Sequence, residues 1–219
     1  MTKTSTTDDR DLDLAPSTIG GDTDRRRGLT AGIVFIITGI IGSIASFLLL
    51  YERVQLWINA DHSTACDVNP WVSCGQVMEA WQASTFGFPN IFIGVVAFPL
   101  LILAGIALIL AGKSLLRSRV WWSGMAAGAA FSFGFIVWLW YSAVFTIGVL
   151  CPYCMIAWAA TIPFAVYVLN YIISTDVFNV GIAERVKAFS QSWWWVLVLV
   201  LYLATIASIV IMFPHIFAA

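Results

Sequence analysis

From Val120 to Ile173 the chain carries no charged side chain. As one helix, at about 1.5 Å per residue, this run would reach about 80 Å, nearly three hydrocarbon cores of about 30 Å each, so it must cross a bilayer twice and turn near its middle. Between residues 135 and 162 the only Gly and Pro are Gly148 and Pro152, which places the turn at Ile147 to Pro152 and puts Pro152 in the first turn of the helix that follows. Two further uncharged stretches are long enough to span, Leu29 to Tyr51 and Phe88 to Ala111, the second accommodating Pro99 as a kink. The first exceeds a signal-peptide core and lacks an A-x-A cleavage site. A fifth span runs from Trp193 to Phe213, opened by the interfacial anchor Trp193, Trp194 and Trp195. With 60% hydrophobic and 11% charged residues, against about half and about a quarter in soluble domains, a water-soluble globule is excluded.

The expected fold is therefore an all-α integral membrane protein with five spans. Residues 1–28 are polar, lack apolar periodicity and read as a disordered tail. Residues 52–87 hold charges, Gly, Pro and two cysteines and read as a loop. Residues 174–192 place Phe178, Ile182, Val186 and Phe189 at helical spacing and read as an amphipathic linker lying on the membrane surface, before the fifth helix in 193–219. Every Lys and Arg except Arg53 falls in the tail, in 112–119 or in 174–192. The positive-inside rule then puts the N-terminus in the cytoplasm of a multi-pass protein of the cell membrane, and Cys66, Cys74, Cys151 and Cys154 at the extracytoplasmic face, where disulfides persist. Net charge is −1 and no basic run is longer than Arg25 to Arg27, which excludes nucleic acid as a partner.

Cys151 and Cys154 form a C-x-x-C at a helix start, where their sulfurs share a face and unpaired N–H groups favour a thiolate. Closing so short a loop gains little chain entropy, and His62 and His215 are isolated, so switching suits this pair better than bracing or zinc binding, and no metal is expected. Cys66 and Cys74 lie in the first loop, where a structural staple is one reading and serial thiol–disulfide exchange with the second pair another. Exchange needs a terminal acceptor, and no flavin, haem or nicotinamide motif is present. A lipid-soluble quinone fits, with Cys154 about one turn into its helix and Asn90 and Tyr153 as candidate hydrogen-bond donors to the quinone oxygens; Asn90 is also placed to cap the second span.

Ala65-Cys66-Asp67-Val68 through Ser73-Cys74, Asn90 with Gly94, and Cys151-Pro152-Tyr153-Cys154, in this order, resemble the vitamin K epoxide reductase family in its bacterial, disulfide-generating form. DsbB, with similar chemistry, carries its C-x-x-C in the first outer loop, the reverse of the order here. The resemblance covers roughly 29–173 and implies a four-helix bundle around a quinone of the menaquinone or ubiquinone type, with the fifth helix outside that core. It implies that a reduced thioredoxin-like (DsbA-like) protein attacks Cys66, that Cys74 reacts with Cys151, and that Cys154 meets the quinone. Ala80 stands where the family often has Ser, and Trp158 stands in the cofactor pocket where vertebrate members have Tyr. Some members carry a thioredoxin-like domain after the fifth helix; the chain ends at Ala219, so a partner in trans is expected.

The expectation is a thiol:quinone oxidoreductase supporting disulfide formation. The alternatives are a reductase serving quinone or vitamin K epoxide recycling, and a non-catalytic membrane scaffold with a stapled outer loop.

Overall fold

The computed structural model describes residues 17–59 and 61–214. The tail before Ser17, with Lys3 and Arg10, and the last five positions, with His215, lie outside the described residues. Six helices follow one another: α1 (Ser17–Ile58), α2 (Cys74–Glu79), α3 (Ile91–Arg117), α4 (Arg119–Tyr141), α5 (Pro152–Thr175) and α6 (Glu184–Met212). A 3-10 turn over Trp81–Ser84 follows α2, and a π-helical turn over Ser142–Ile147 continues α4. Among the described residues α1, α3, α4 with its π turn, α5 and α6 are each long and apolar enough to cross a membrane. The chain is an all-α, multi-pass membrane protein.

Two boundaries differ from the sequence reading. The tail expected to be disordered to residue 28 is helical from Ser17, because once the apolar stretch has nucleated a helix each added residue gains a hydrogen bond for one more fixed residue. At its other end α1 continues past Tyr51, so Glu52 and Arg53 stand on a helix end and not in a loop. The stretch 174–192 is not one surface helix. Asp176 leaves α5 in a left-handed conformation, its carboxylate accepts the N–H groups of Val180 (2.9 Å), Gly181 (3.1 Å) and Ile182 (3.3 Å), and helix resumes only at Glu184, running unbroken into the fifth span.

In the bundle α1 lies against α3 and α5, α4 and α6 each lie against α5, and α3 and α4 scarcely touch. The α1–α3 approach is set by glycine on both sides: a Cβ at Gly32 would stand 2.7 Å from the Gly105 carbonyl oxygen, and one at Gly105 would stand 2.7 Å from that of Gly32. Small residues let helix backbones close in where lipid offers no hydrophobic drive. Phe35 packs edge-on to Phe164 (5.2 Å), and Trp122 stacks on Tyr171 (3.8 Å), joining α1, α4 and α5 at the end of the bundle away from the cysteines. At the other end Ile209 and Phe213 bury against Val144 and Leu150, so α6, the fifth span, supports the α4–α5 turn. That turn passes through Gly148 (φ 72°), a conformation that glycine adopts without the Cβ clash of other residues, and α5 opens with Pro152 at its first position.

Candidate active site

Cys66 and Cys74 are joined by a disulfide, with Cα atoms 5.6 Å apart. The segment between them turns back on itself through main-chain bonds from Val68 N–H to Val72 O (2.9 Å) and from Val72 N–H to Asn69 O (3.0 Å). Asp67 sits at its centre: Oδ1 accepts from the Ser73 hydroxyl (2.6 Å) and Gly75 N–H (3.2 Å), and Oδ2 accepts from Thr64 N–H (2.9 Å). Burial pushes this carboxyl up, but the bonds from Ser73, Thr64 and Gly75 outweigh it and hold Asp67 below the usual carboxylate range. Ser73 caps α2 by accepting from Gln76 N–H (3.2 Å). The loop is also fastened to the end of α1. Glu52, only 5% exposed, accepts from Ala65 N–H (3.3 Å) and faces His62 Nε2 (3.1 Å), while Arg53 donates to the Met78 carbonyl (2.8 Å). The buried Thr64 hydroxyl lies 3.6 Å from Cys66 Sγ.

The second pair is organised by one helix start. Cys151 is the N-cap of α5, and its sulfur accepts from Cys154 N–H (3.3 Å). Both cysteines are free thiols. The Cys151 thiol is held below its ordinary range, first by the hydrogen bond from the Cys154 side chain, then, against its burial, by the N–H groups of Cys154 and Tyr153; the Asp67 charge opposes this weakly.

Main chain joins the two pairs. Leu150 N–H donates to Trp71 O (2.9 Å) and Ser73 N–H donates to Leu150 O (3.0 Å), so the residues just before Cys74 and Cys151 form a short parallel bridge. As a result Cys151 Sγ lies 3.2 Å from Cys74 Sγ. Cys74 is wholly buried, Cys151 is 1% exposed and Cys66 is 5% exposed. Four sulfurs thus run in sequence from the loop to the start of α5.

Beneath them is a cavity of about 450 Å³, within the roughly 300–1,000 Å³ usual for small-molecule sites. Its wall is almost wholly apolar, drawn from α1, α3, α4 and α5, and Cys151 and Cys154 stand in it.

The model of the vitamin K epoxide reductase family matches residues 33–169, which take in all four cysteines and every wall of the cavity. The chain belongs to the vitamin K epoxide reductase family. Members of this family are oxidoreductases that use quinones. No curated protein matches the chain. Within this vitamin K epoxide reductase family member, α6 lies outside the matched span.

The residues present fit a quinone. Asn90 is not the donor the sequence suggested: its side-chain N–H group donates to the Gln82 carbonyl (2.5 Å), and what it leaves at the cavity is an acceptor, Oδ1, buried with no partner. An orphaned acceptor in an apolar cavity fits the hydroxyl of the reduced, hydroquinone form. Asn90 occupies the N-cap position of α3 but makes no side-chain cap bond, so capping is not what its side chain does. Trp158 is buried and lines the cavity with Cys154, whereas Tyr153 is not on the cavity wall and packs on the cluster of Cys66, Cys74 and Met78. Gly94 is on the wall, where a Cβ would collide with Ser46 Oγ. Ala80 is the C-cap of α2 and does not line the cavity.

Sequence reasoning missed Gln82 and Leu150, and met Asp67 only as part of the Ala65 to Val68 stretch. Ser73 with Gln76 three residues on has the form of a capping box and signals the start of α2, hence a structured loop. Nothing local signals the Leu150 bridge to Trp71 and Ser73.

Proposed function

We propose that this protein is a membrane thiol:quinone oxidoreductase that reoxidises an extracytoplasmic thioredoxin-like protein and so supports disulfide formation, in the manner of the bacterial, DsbB-like members of its family. The placement of the positive charges supports a cytoplasmic N-terminus, cysteines on the outer face, and the cell membrane as the site of action. The observation that carries the reading is the 3.2 Å contact between Cys151 Sγ and Cys74 Sγ, which makes one conduit of two pairs. A stapled scaffold has no use for a thiol resting against its staple.

The order of exposure supports an order of steps. Of the loop pair, Cys66 is the more exposed, so a partner thiolate attacks there: its bond to Cys66 forms, the Cys66–Cys74 bond breaks, and Cys74 leaves with the electron pair. The Cys74 thiolate then attacks Cys151 of an oxidised Cys151–Cys154 pair, and Cys154 leaves as thiolate and takes a proton. The second partner thiol displaces Cys66, forming the partner's disulfide. Cys66 attacks Cys74, closing the loop bridge and expelling Cys151. That leaves the loop oxidised and the C-x-x-C as thiols, the arrangement in the structure. Asn90, Trp158 and Cys154 would hold a quinone, which supplies a two-electron, two-proton acceptor. The apolar wall keeps water from the sulfurs, and Cys154 and the α5 N-terminus lower the cost of forming the Cys151 thiolate.

Purified protein supplied with a reduced thioredoxin-like dithiol is expected to consume quinone one for one with dithiol. Cys154→Ala is expected to abolish this while leaving the Cys66–Cys74 bridge reducible. Equal quinone consumption by the variant would refute the relay.

A further inference from the structure

Asp67 immediately follows Cys66, and its one carboxylate binds on both sides of the loop pair: to Thr64, two residues before Cys66, and to Ser73 and Gly75, which flank Cys74. The disulfide and the carboxylate therefore close the same segment in parallel, one covalently and one by three hydrogen bonds. Only the disulfide opens during turnover. Ser73 is in turn bonded through its N–H to the Leu150 carbonyl (3.0 Å), and Leu150 adjoins Cys151. A line of contacts thus runs from Asp67 through Ser73 and Leu150 to the two sulfurs that must meet.

We propose that Asp67 is a positioning residue of the relay, holding Cys74 over Cys151 while the Cys66–Cys74 bond is open; this deepens, and rests on, the thiol relay proposed above. In the step concerned the Cys74 thiolate attacks Cys151. The Cys74–Cys151 bond forms, the Cys151–Cys154 bond breaks, and Cys154 departs with the electron pair and is protonated. The rate depends on how often Cys74 Sγ is presented in line, and a group held in attacking geometry acts at a far higher effective concentration than one on a free chain. With the disulfide gone, the bonds of Asp67 to Thr64, Ser73 and Gly75 restrict the segment between the two cysteines. They serve the loop's own reclosure as well, since they keep Cys66 beside Cys74. Glu79, exposed on α2 and lining the same outer basin as Asp67, provides a matched carboxylate as control.

The test uses the full chain in detergent. With Cys151 and Cys154 both changed to Ala, the loop pair is equilibrated against graded ratios of oxidised to reduced dithiothreitol, and open thiols are read by alkylation and mass. Adding Asp67→Ala is expected to move the midpoint about tenfold toward the open dithiol, which is about 30 mV for this two-electron couple. Asp67→Asn, the variant that keeps the loop shape even if the Ala variant loses it, is expected to move it by about threefold, because its amide oxygen still accepts from Ser73 and Gly75 but its NH2 cannot accept from Thr64 N–H. Glu79→Ala should leave it in place. In the four-cysteine chain, fully oxidised and then pulsed with dithiol, the Cys74–Cys151 bridge should form about tenfold more slowly with Asp67→Ala. Midpoints and bridging rates within about twofold of the native chain in both Asp67 variants overturn the proposal, as does an equal shift in Glu79→Ala, which would mark a surface-charge effect. A native chain that never forms the Cys74–Cys151 bridge overturns the relay itself, whereas one that forms it at a rate indifferent to Asp67 overturns this inference alone.

Discussion

Cys66 and Cys74 are brought together by contacts collected from four places: the end of α1 through Glu52, the Asp67 carboxylate, the start of α2, and the Leu150 bridge from the α4–α5 turn. Cys151 and Cys154 need only the first turn of α5, where helix geometry puts positions three apart on one face and the N–H of Cys154 on the Cys151 sulfur. The difference teaches where each pair is vulnerable. Loop redox behaviour depends on tertiary hydrogen bonds that a distant substitution can remove, while that of the C-x-x-C depends mainly on the helix start, with burial and the Asp67 charge opposing it. Coupling between them belongs to neither pair and rests on two main-chain bonds, at Leu150, Trp71 and Ser73.

Leu150→Pro breaks the comparison most severely. It deletes the N–H that bonds Trp71 O while leaving both pairs chemically intact, and a misplacement of about 1 Å between reacting groups costs about a hundredfold in rate. The Cys74–Cys151 bridge, trapped by acid quench and read by peptide mapping, should form slower by about that factor, while closure of Cys151–Cys154 keeps its native rate. A smaller effect comes from acidity. Thiolate is the form that alkylates, and the Cys154 side chain is the first cause of the lowered Cys151 value, so Cys154→Ala should move half-maximal alkylation of Cys151 to higher pH. At neutral pH its rate falls, by about tenfold for each unit of that rise. An unchanged profile would shift the credit to the backbone N–H groups. Smallest is Asn90→Leu, which removes the unpartnered acceptor from the cavity, together with the Asn90 bond to the Gln82 carbonyl, and leaves both cysteine pairs untouched. KM for quinone should rise about threefold to tenfold with kcat little changed, as for loss of one hydrogen bond.

The spans and the α4–α5 turn could be read from the chain because the charge-free run from Val120 to Ile173 is too long for one crossing, and Gly148 and Pro152 leave one place to turn. Trp158 was named through the family resemblance alone; in the structure it lies four residues after Cys154, on the same helix face and on the cavity wall. The same geometry explains why Tyr153 is not there. One residue before Cys154, it is rotated by about 100° and faces the loop cluster. The role of Asp67 could not be read from the chain because its partners, Thr64, Ser73 and Gly75, acquire meaning only once the loop has folded. The helical start at Ser17 was hidden because composition describes what a segment does alone, not what it does as the continuation of a spanning helix. Hardest of all was the bridge between Val72 and Leu150, two residues far apart in the chain with no local pattern to pair them.

The central claim is that the two pairs are one conduit, joined at Cys74 and Cys151. Its most direct test leaves only those two thiols, in a Cys66→Ser, Cys154→Ser chain kept in its membrane, and asks under mild oxidation what bond they make. Peptide mapping without reductant should find a Cys74–Cys151 disulfide within the chain, formed quantitatively and independently of protein concentration. Two thiols that both remain open to alkylation, or that cross-link only between chains, would contradict the account.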